Sequence, residues 1–205
     1  MKAFLFDLDG TLLLSDEEIF YNRYFELVGQ EFKDMVNSKE LIDAIQEIIE
    51  NMIFDGEDEN NYQRFMGKIS QKFGKKALEF EKRFDTFYSN NFKLLKPLTK
   101  PNDRLINHMR ALHGVKVLAT NPIFPEIAIK ERMKWAALDD NDFALVTFME
   151  NSHYLKPNPK YFLEICEKIK VDPQNCTMMG NDPKLDGACE KVGIKFVLVG
   201  EDVHF

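Results

Sequence analysis

The chain has 205 residues, 44% of them hydrophobic and 30% charged, with a net charge of −7, which suits one ordinary domain with a sizeable core or a core plus a small insert. The acidic balance argues against broad nucleic-acid binding, and no apolar run approaches the roughly 20 residues that span a bilayer. With Met1-Lys2-Ala3-Phe4 entering the first strand at once no signal peptide is expected, and three cysteines (Cys166, Cys176, Cys189) without ligand-like spacing read as reduced thiols, so a cytoplasmic protein is expected.

The first strand is expected over Lys2–Asp7, and it delivers Asp7-Leu8-Asp9-Gly10-Thr11 at its end. A strand alternates faces with period two, so Asp7 and Asp9 project to the same side. Like charges about 4 Å apart repel by about 4 kcal/mol at an effective dielectric of about 20. A fold that gathers them needs a cation or a proton there.

From about Ser15 to Lys96 only amphipathic helices can be read. The clearest carries Leu41, Ile42, Ile45, Ile48, Ile49, Met52 and Ile53 as one stripe, with Asn37 and Glu40 offering a capping box. Asp16–Asn60 holds 14 acidic and 3 basic residues, a balance of −11, whereas Asn61–Lys100 holds 3 acidic and 10 basic, a balance of +7. The basic half could attract an anionic substrate, or the two halves could be solvated faces that pair with each other. Arg64, Lys68 and Lys72 could reach a substrate or face solvent, and are not assigned to the site. Phe65, Phe73, Phe84, Phe87 and Tyr88 are expected to form the insert's own core.

After the insert, helices are expected over Asn102–His113, Pro125–Ala137, Tyr161–Lys170 and Lys184–Val192. Strands are expected over Val115–Thr120, Phe143–Met149, Thr177–Gly180 and Lys195–Val199. The alternation implies a doubly wound parallel α/β sheet, with domain boundaries at 1–14 plus 97–205 for the core and 15–96 for an inserted all-α cap.

Three further groups fall at strand ends or helix starts, where open α/β sheets bind ligands. Thr120-Asn121 ends the second strand, although with Pro122 after it this pair alone reads as a turn. Lys156 stands among prolines that stiffen its approach to a helix. Asp182 and Asp186 lie four residues apart after Gly180, and Asp182 alone would read as a helix N-cap before Pro183. Asp7, Asp9 and Asp182 offer the hard oxygens that Mg²⁺ takes; Thr120, Asn121 and Lys156 offer donors and positive charge for phosphate oxygens. His108, His113, His153 and His204 are scattered, so zinc is not expected.

With these motifs in this order, the chain resembles the haloacid dehalogenase (HAD) superfamily over essentially its whole length, and within it the Mg²⁺-dependent phosphatases with a helical C1-type cap. The resemblance implies that Asp7 attacks phosphorus and forms an aspartyl-phosphate, and that Asp9 protonates the leaving oxygen and then deprotonates water. It implies Mg²⁺ on the carboxylates of Asp7 and Asp182 and the carbonyl of Asp9. Thr120 would hydrogen-bond the phosphoryl group, Lys156 would offset charge on Asp7 and the phosphoryl, and Asp186 would position Lys156 or a metal-bound water. Gly10 and Thr11 shape the turn behind the acids. An acid at position 9 sets the chain apart from the dehalogenases and phosphonate hydrolases of the superfamily.

The fourth motif departs from the family's pattern because Asn181 intervenes before Asp182. Asp182 and Asp186 match the two family acids by separation; were Asn181 in the first place, the metal site would lose a charge and Asp182 would stand behind it. The expected activity is hydrolysis of a small phosphorylated metabolite by a monomer or homodimer without nucleic-acid or membrane partners. A phosphomutase of the same superfamily is the alternative, and a non-catalytic module that binds phospholigands a third reading.

Overall fold

In a computed structural model that describes residues 1–53, 58–74 and 77–200, five parallel strands form the main sheet. They are β1 (Ala3–Phe6), β4 (Val115–Leu118), β5 (Leu145–Val146), β6 (Cys176–Gly180) and β7 (Lys195–Leu198), in the spatial order β5-β4-β1-β6-β7. Strand β1 is central: Phe6 pairs with Leu118 on one side and with Met179 on the other. The carboxyl ends of β1, β4 and β6 therefore open on the same edge of the sheet.

Alternation along β1 divides the core between two faces. Ala3 and Leu5 pack with Val117, Ala119 and the Tyr161–Cys166 stretch of helix α7 (Pro159–Ile169). Phe4 and Phe6 turn the other way, towards helices α5 (Asp103–Ala111) and α6 (Glu126–Trp135). A parallel sheet covered on both faces explains why its strands read as apolar runs.

A short antiparallel pair, β2 (Leu13–Ser15) with β3 (Thr99–Pro101), brackets the insert; Leu14 faces Lys100 and Ser15 faces Thr99. These strands are too short to leave a periodic signature in the sequence. Between them run α1 (Glu17–Phe32), α2 (Ser38–Met52), α3 (Asn61–Phe73) and α4 (Ala77–Ser89). Asn37 caps α2 by accepting the Glu40 N–H at 3.1 Å, and α3 begins with a reciprocal capping box between Asn60 and Gln63 that the sequence reading missed.

Of the five aromatics expected to form the insert's core, Phe65, Phe84, Phe87 and Tyr88 are buried and Phe73 is half-buried against Phe80. They do not form a core of their own, because the cluster runs on into the main domain. Phe92 stacks on Trp135 with ring centroids 5.2 Å apart, and Tyr24 meets Phe124 edge-on at 5.4 Å. The polarised charges pair across the insert: Lys72 with Glu47 at 2.7 Å, and Arg83 with Asp34 at 3.0 Å. Arg64 is buried and donates to Asn61 Oδ1 and to the carbonyl of His153 at 2.7 Å. The Asn61 N–H in turn reaches the Ser152 carbonyl at 2.8 Å. The start of α3 is thus fastened to the segment that leads to Lys156.

Two expected elements are shorter or different. The strand expected over Phe143–Met149 is confined to Leu145–Val146. Beyond it Asn151 Nδ2 donates to the Val146 carbonyl, and the Thr147 hydroxyl turns inward to the carbonyls of Leu118 and Thr120. The helix expected over Lys184–Val192 is a 3₁₀ run over Gly187–Val192. Its preceding turn is fixed by side-chain bonds from Asp182 and Asp186, and six residues before Gly193 (φ 86°) leave little length for an α-helix. No helix among the described residues is long and apolar enough to cross a membrane. Cys166, Cys176 and Cys189 are buried free thiols.

Candidate active site

Asp7 leaves β1 still tied to the sheet, its N–H donating to the Met179 carbonyl at 2.9 Å. The chain then turns sharply. Gly10 adopts φ 70°, and its N–H closes on the Leu13 carbonyl at 2.9 Å. A Cβ on Gly10 would sit 2.3 Å from Asn181 Nδ2, so glycine is needed both for the backbone conformation and for the approach of Asn181. The Thr11 hydroxyl lies within reach of Asp7 Oδ2 at 3.4 Å and Asn181 Oδ1 at 3.2 Å, and its one proton can serve either.

Lys156 is the centre of charge in this cluster. Its side chain is 1% exposed, and Nζ stands 2.8 Å from Asp7 Oδ1 and 2.5 Å from Asp186 Oδ1. Burial disfavours the ammonium, but Asp7 and Asp186 outweigh it and raise the lysine's pKa above its ordinary value. Burial, with Asp7 adding to it, pushes Asp186 up to about 6 against the pull of Lys156. The Asp186 carboxylate lies directly over Gly180, where a Cβ would come within 2.1 Å of Oδ2. Asn121 Oδ1 accepts the Lys156 N–H at 3.1 Å, so the loop after β4 sets the height of the lysine. The Lys156–Pro157 peptide is cis.

Thr120 is buried at the end of β4, its carbonyl accepting from Thr147 Oγ1 and the Tyr161 hydroxyl, each at 2.8 Å. Asp182 Oδ1 accepts the N–H groups of Lys184 and Leu185 at 2.7 and 2.9 Å, which is a capping role. Among the described residues its other oxygen, Oδ2, takes no protein hydrogen bond. A cavity of about 250 Å³ gathers Asp7, Asp9, Asn121, Lys156, Asp182 and Asp186 on its wall, with Glu17, Tyr21, Ile123, Phe124, Asn181 and Leu185 completing it.

Sequence reading missed Arg132. This residue on α6 is fully buried, and its guanidinium contacts Asp9 Oδ2 through Nη2. The ring of Phe124 lies 4.8 Å from it and that of Phe20 5.8 Å away, in cation–π range. Burial pulls its pKa down to about 10, partly countered by Asp7, which leaves it charged at neutral pH. Tyr161, whose hydroxyl also touches Thr147, was likewise missed.

The pocket's donors suit a hard cation. They are carboxylates, the amides of Asn121 and Asn181 and the Tyr21 hydroxyl, and neither His nor Cys lines the wall. Among the described residues no group of three or more His, Cys, Asp or Glu side chains is placed to hold a metal ion, and His204 lies outside the described residues. An open set with one or two carboxylates is what Mg²⁺ takes when substrate phosphate and water complete its shell. Five acids (Asp7, Asp9, Glu17, Asp182 and Asp186) line the pocket with Lys156 as its one cationic side chain. An anion entering there needs a further positive charge.

Over residues 1–188 the chain matches the haloacid dehalogenase-like hydrolase family. No curated protein matches it. Among solved structures, it is similar to a HAD family enzyme from Bacteroides thetaiotaomicron, in complex with magnesium and inorganic phosphate. That likeness has a TM-score of 0.57 at 18% identity and covers 100% of this chain and 97% of the other. A HAD phosphatase from Thermococcus onnurineus gives a TM-score of 0.59 at 21% identity, covering 100% and 89%.

Proposed function

The chain belongs to the haloacid dehalogenase-like hydrolase family, and from that premise we propose that it is a Mg²⁺-dependent phosphatase acting on a small phosphorylated metabolite. The observation that carries this reading is the ion pair of Asp7 with the sealed Lys156 at 2.8 Å, on the wall of a pocket that also holds Asp9. Lys156 holds Asp7 by Oδ1, and Oδ2, met among the described residues by the Thr11 hydroxyl alone at 3.4 Å, is the oxygen for attack. The similar Bacteroides enzyme, which holds magnesium and inorganic phosphate, supports the ion and the substrate class.

In this reading Asp7 attacks phosphorus, and the ester P–O bond breaks as the Asp7–phosphorus bond forms. Asp9, with Oδ2 held by Arg132, takes up a proton on Oδ1 before this step and gives it to the departing oxygen. It then takes a proton from the water that cleaves the aspartyl-phosphate, which frees phosphate and restores Asp7. Arg132 holds Asp9 by Oδ2 from behind and fixes where that proton moves. Lys156 spreads positive charge over Asp7 and the transferring group, and Asp186 holds Lys156 from its far side. Asn121 borders the phosphoryl position on the pocket wall and Thr120, buried beside it, would offer its hydroxyl, while Gly10 and Thr11 shape the turn that presents Asp7 and Asp9. Mg²⁺ would rest on Asp7, the Asp9 carbonyl and Asp182 beside Asn181, and when bound it supplies charge neutralisation on the phosphate oxygens. The helical insert acts as a cap that limits water and selects substrate.

The test is phosphate release from a set of small phosphomonoesters with and without Mg²⁺. Asp7→Asn should abolish release while the circular dichroism spectrum and melting transition persist. Substantial turnover by that variant would reject Asp7 as nucleophile. Rearranged sugar phosphates in place of free phosphate would point to a phosphomutase instead.

A further inference from the structure

Beside the catalytic cavity lies a second, smaller one of about 50 Å³, between the helical insert and the core. Its walls come from α1, α2, α3 and α4 on one side, and from Ile123–Pro125 and Met149 on the other. Tyr21, Ile123 and Phe124 border both cavities, so the two share a wall. Its chemistry is unlike that of its neighbour. Aromatic and aliphatic side chains dominate the lining, no lysine or arginine belongs to it, and Asp85 is its one charged residue.

Besides Asp85, Tyr21 and Tyr62, whose hydroxyl is taken up by Glu81, the lining contains one pair of facing hydroxyls. The hydroxyls of Tyr24 and Tyr88 lie 2.9 Å apart, and both residues are buried. Burial holds Tyr24 in its protonated form, its pKa pushed up to about 12, and raises Tyr88 further. Two hydroxyl protons are therefore present and their mutual hydrogen bond uses one. Among the described residues no acceptor receives the other.

We propose that this chamber receives the leaving group of the substrate, and that the group is compact and apolar, no larger than a single ring, with at most one acceptor atom for the Tyr24–Tyr88 pair. This rests on the phosphatase reading. A phosphoryl group at Asp7 directs its ester oxygen away from the attacking carboxylate, because the two oxygens are in line. A polyhydroxylated sugar would lose its hydration in this chamber without finding the donors and acceptors to replace it. An apolar group gains by entering. The small volume limits how far the group extends: an engineered apolar cavity that holds benzene measures about 150 Å³, so a ring enters the chamber only in part and the rest of it stays in the larger cavity alongside.

Non-hydrolysable ligands separate this inference from the reaction itself. Calorimetric titration with benzylphosphonate and methylphosphonate, each with Mg²⁺, should show at least tenfold tighter binding of the benzyl compound. Ile49→Phe, which narrows the chamber from α2, should remove that advantage and leave methylphosphonate binding unchanged. In turnover, benzyl phosphate should exceed glucose 6-phosphate in kcat/KM by tenfold or more; both are primary alkyl esters, so leaving-group basicity does not decide the outcome. Equal affinity of the two phosphonates, or an advantage that survives Ile49→Phe, overturns the inference even if phosphate is released. A benzyl preference in binding with no release from any ester upholds the chamber and rejects the phosphatase reading.

Discussion

Asp9 and Arg132 form an ion pair whose halves meet water unequally: the aspartate side chain is 30% exposed and the arginine 1%. Removing the carboxylate strands a buried guanidinium, whereas removing the guanidinium leaves a carboxylate that water can still reach. Asp9→Ala should therefore cost about 3 kcal/mol of folding stability, and Arg132→Leu about 1 kcal/mol. Urea denaturation of both variants measures the difference, and equal losses would contradict the asymmetry.

Lys156 separates two carboxylates that are themselves almost sealed from solvent. Lys156→Met leaves Asp7 and Asp186 facing each other without a cation, at a cost of about 3–5 kcal/mol. Adding Asp186→Asn should recover a measurable part of that loss, since one of the opposed charges is gone. A double variant no more stable than the single one would show that the lysine acts by packing alone.

Gly10 and Gly67 make a matched pair of alanine substitutions. At Gly10 the backbone has φ 70° and Asn181 occupies the space of a Cβ; at Gly67, inside α3, nothing lies within 4 Å. Gly10→Ala should destabilise by more than about 1 kcal/mol and depress phosphate release. Gly67→Ala should stabilise by about 0.5–1 kcal/mol, because a helix interior favours alanine. Thermal melts of the two variants should move in opposite directions.

Arg110 grips Asp142 through two hydrogen bonds, at 2.9 and 2.8 Å, and joins α5 to the approach to β5. The Arg110 guanidinium holds the Asp142 carboxyl below its ordinary value of 3.8. The folded value thus lies under the unfolded one, so the contribution is complete above pH 3.8 and is lost as pH falls through the folded value. Asp142→Asn should cost up to about 1 kcal/mol at neutral pH. The gap to the parent should close in denaturation curves taken at progressively more acid pH.

Much of the candidate site was legible because its residues carry local signals. Asp7 and Asp9 stand two apart at the end of an apolar run, and Lys156 is marked by the prolines beside it. Asp182 and Asp186 follow a glycine at a strand end. Arg132 carries no such mark: in Lys130-Glu131-Arg132-Met133-Lys134 it reads as one more solvated charge on a helix. Only the packing of Phe20 and Phe124 from other elements buries it. The same holds for the 3₁₀ run over Gly187–Val192. Its sequence allows a helix, and the bond between Asp186 and Lys156, distant in the chain, helps to set the turn before it. The insert's stripe predicted helices well, but periodicity cannot say that Phe92 would stack on Trp135 in place of closing a separate core.

Helix α3 begins with Asn61 and Arg64 bonded to the backbone of Ser152 and His153, a short step along the chain from Lys156. Recognition and chemistry consequently share one mechanical anchor. Grafting the insert of a relative onto this core would shift the lysine unless the segment 152–156 travelled with it, so new specificities are more readily reached by changing side chains inside the chamber than by exchanging whole helices.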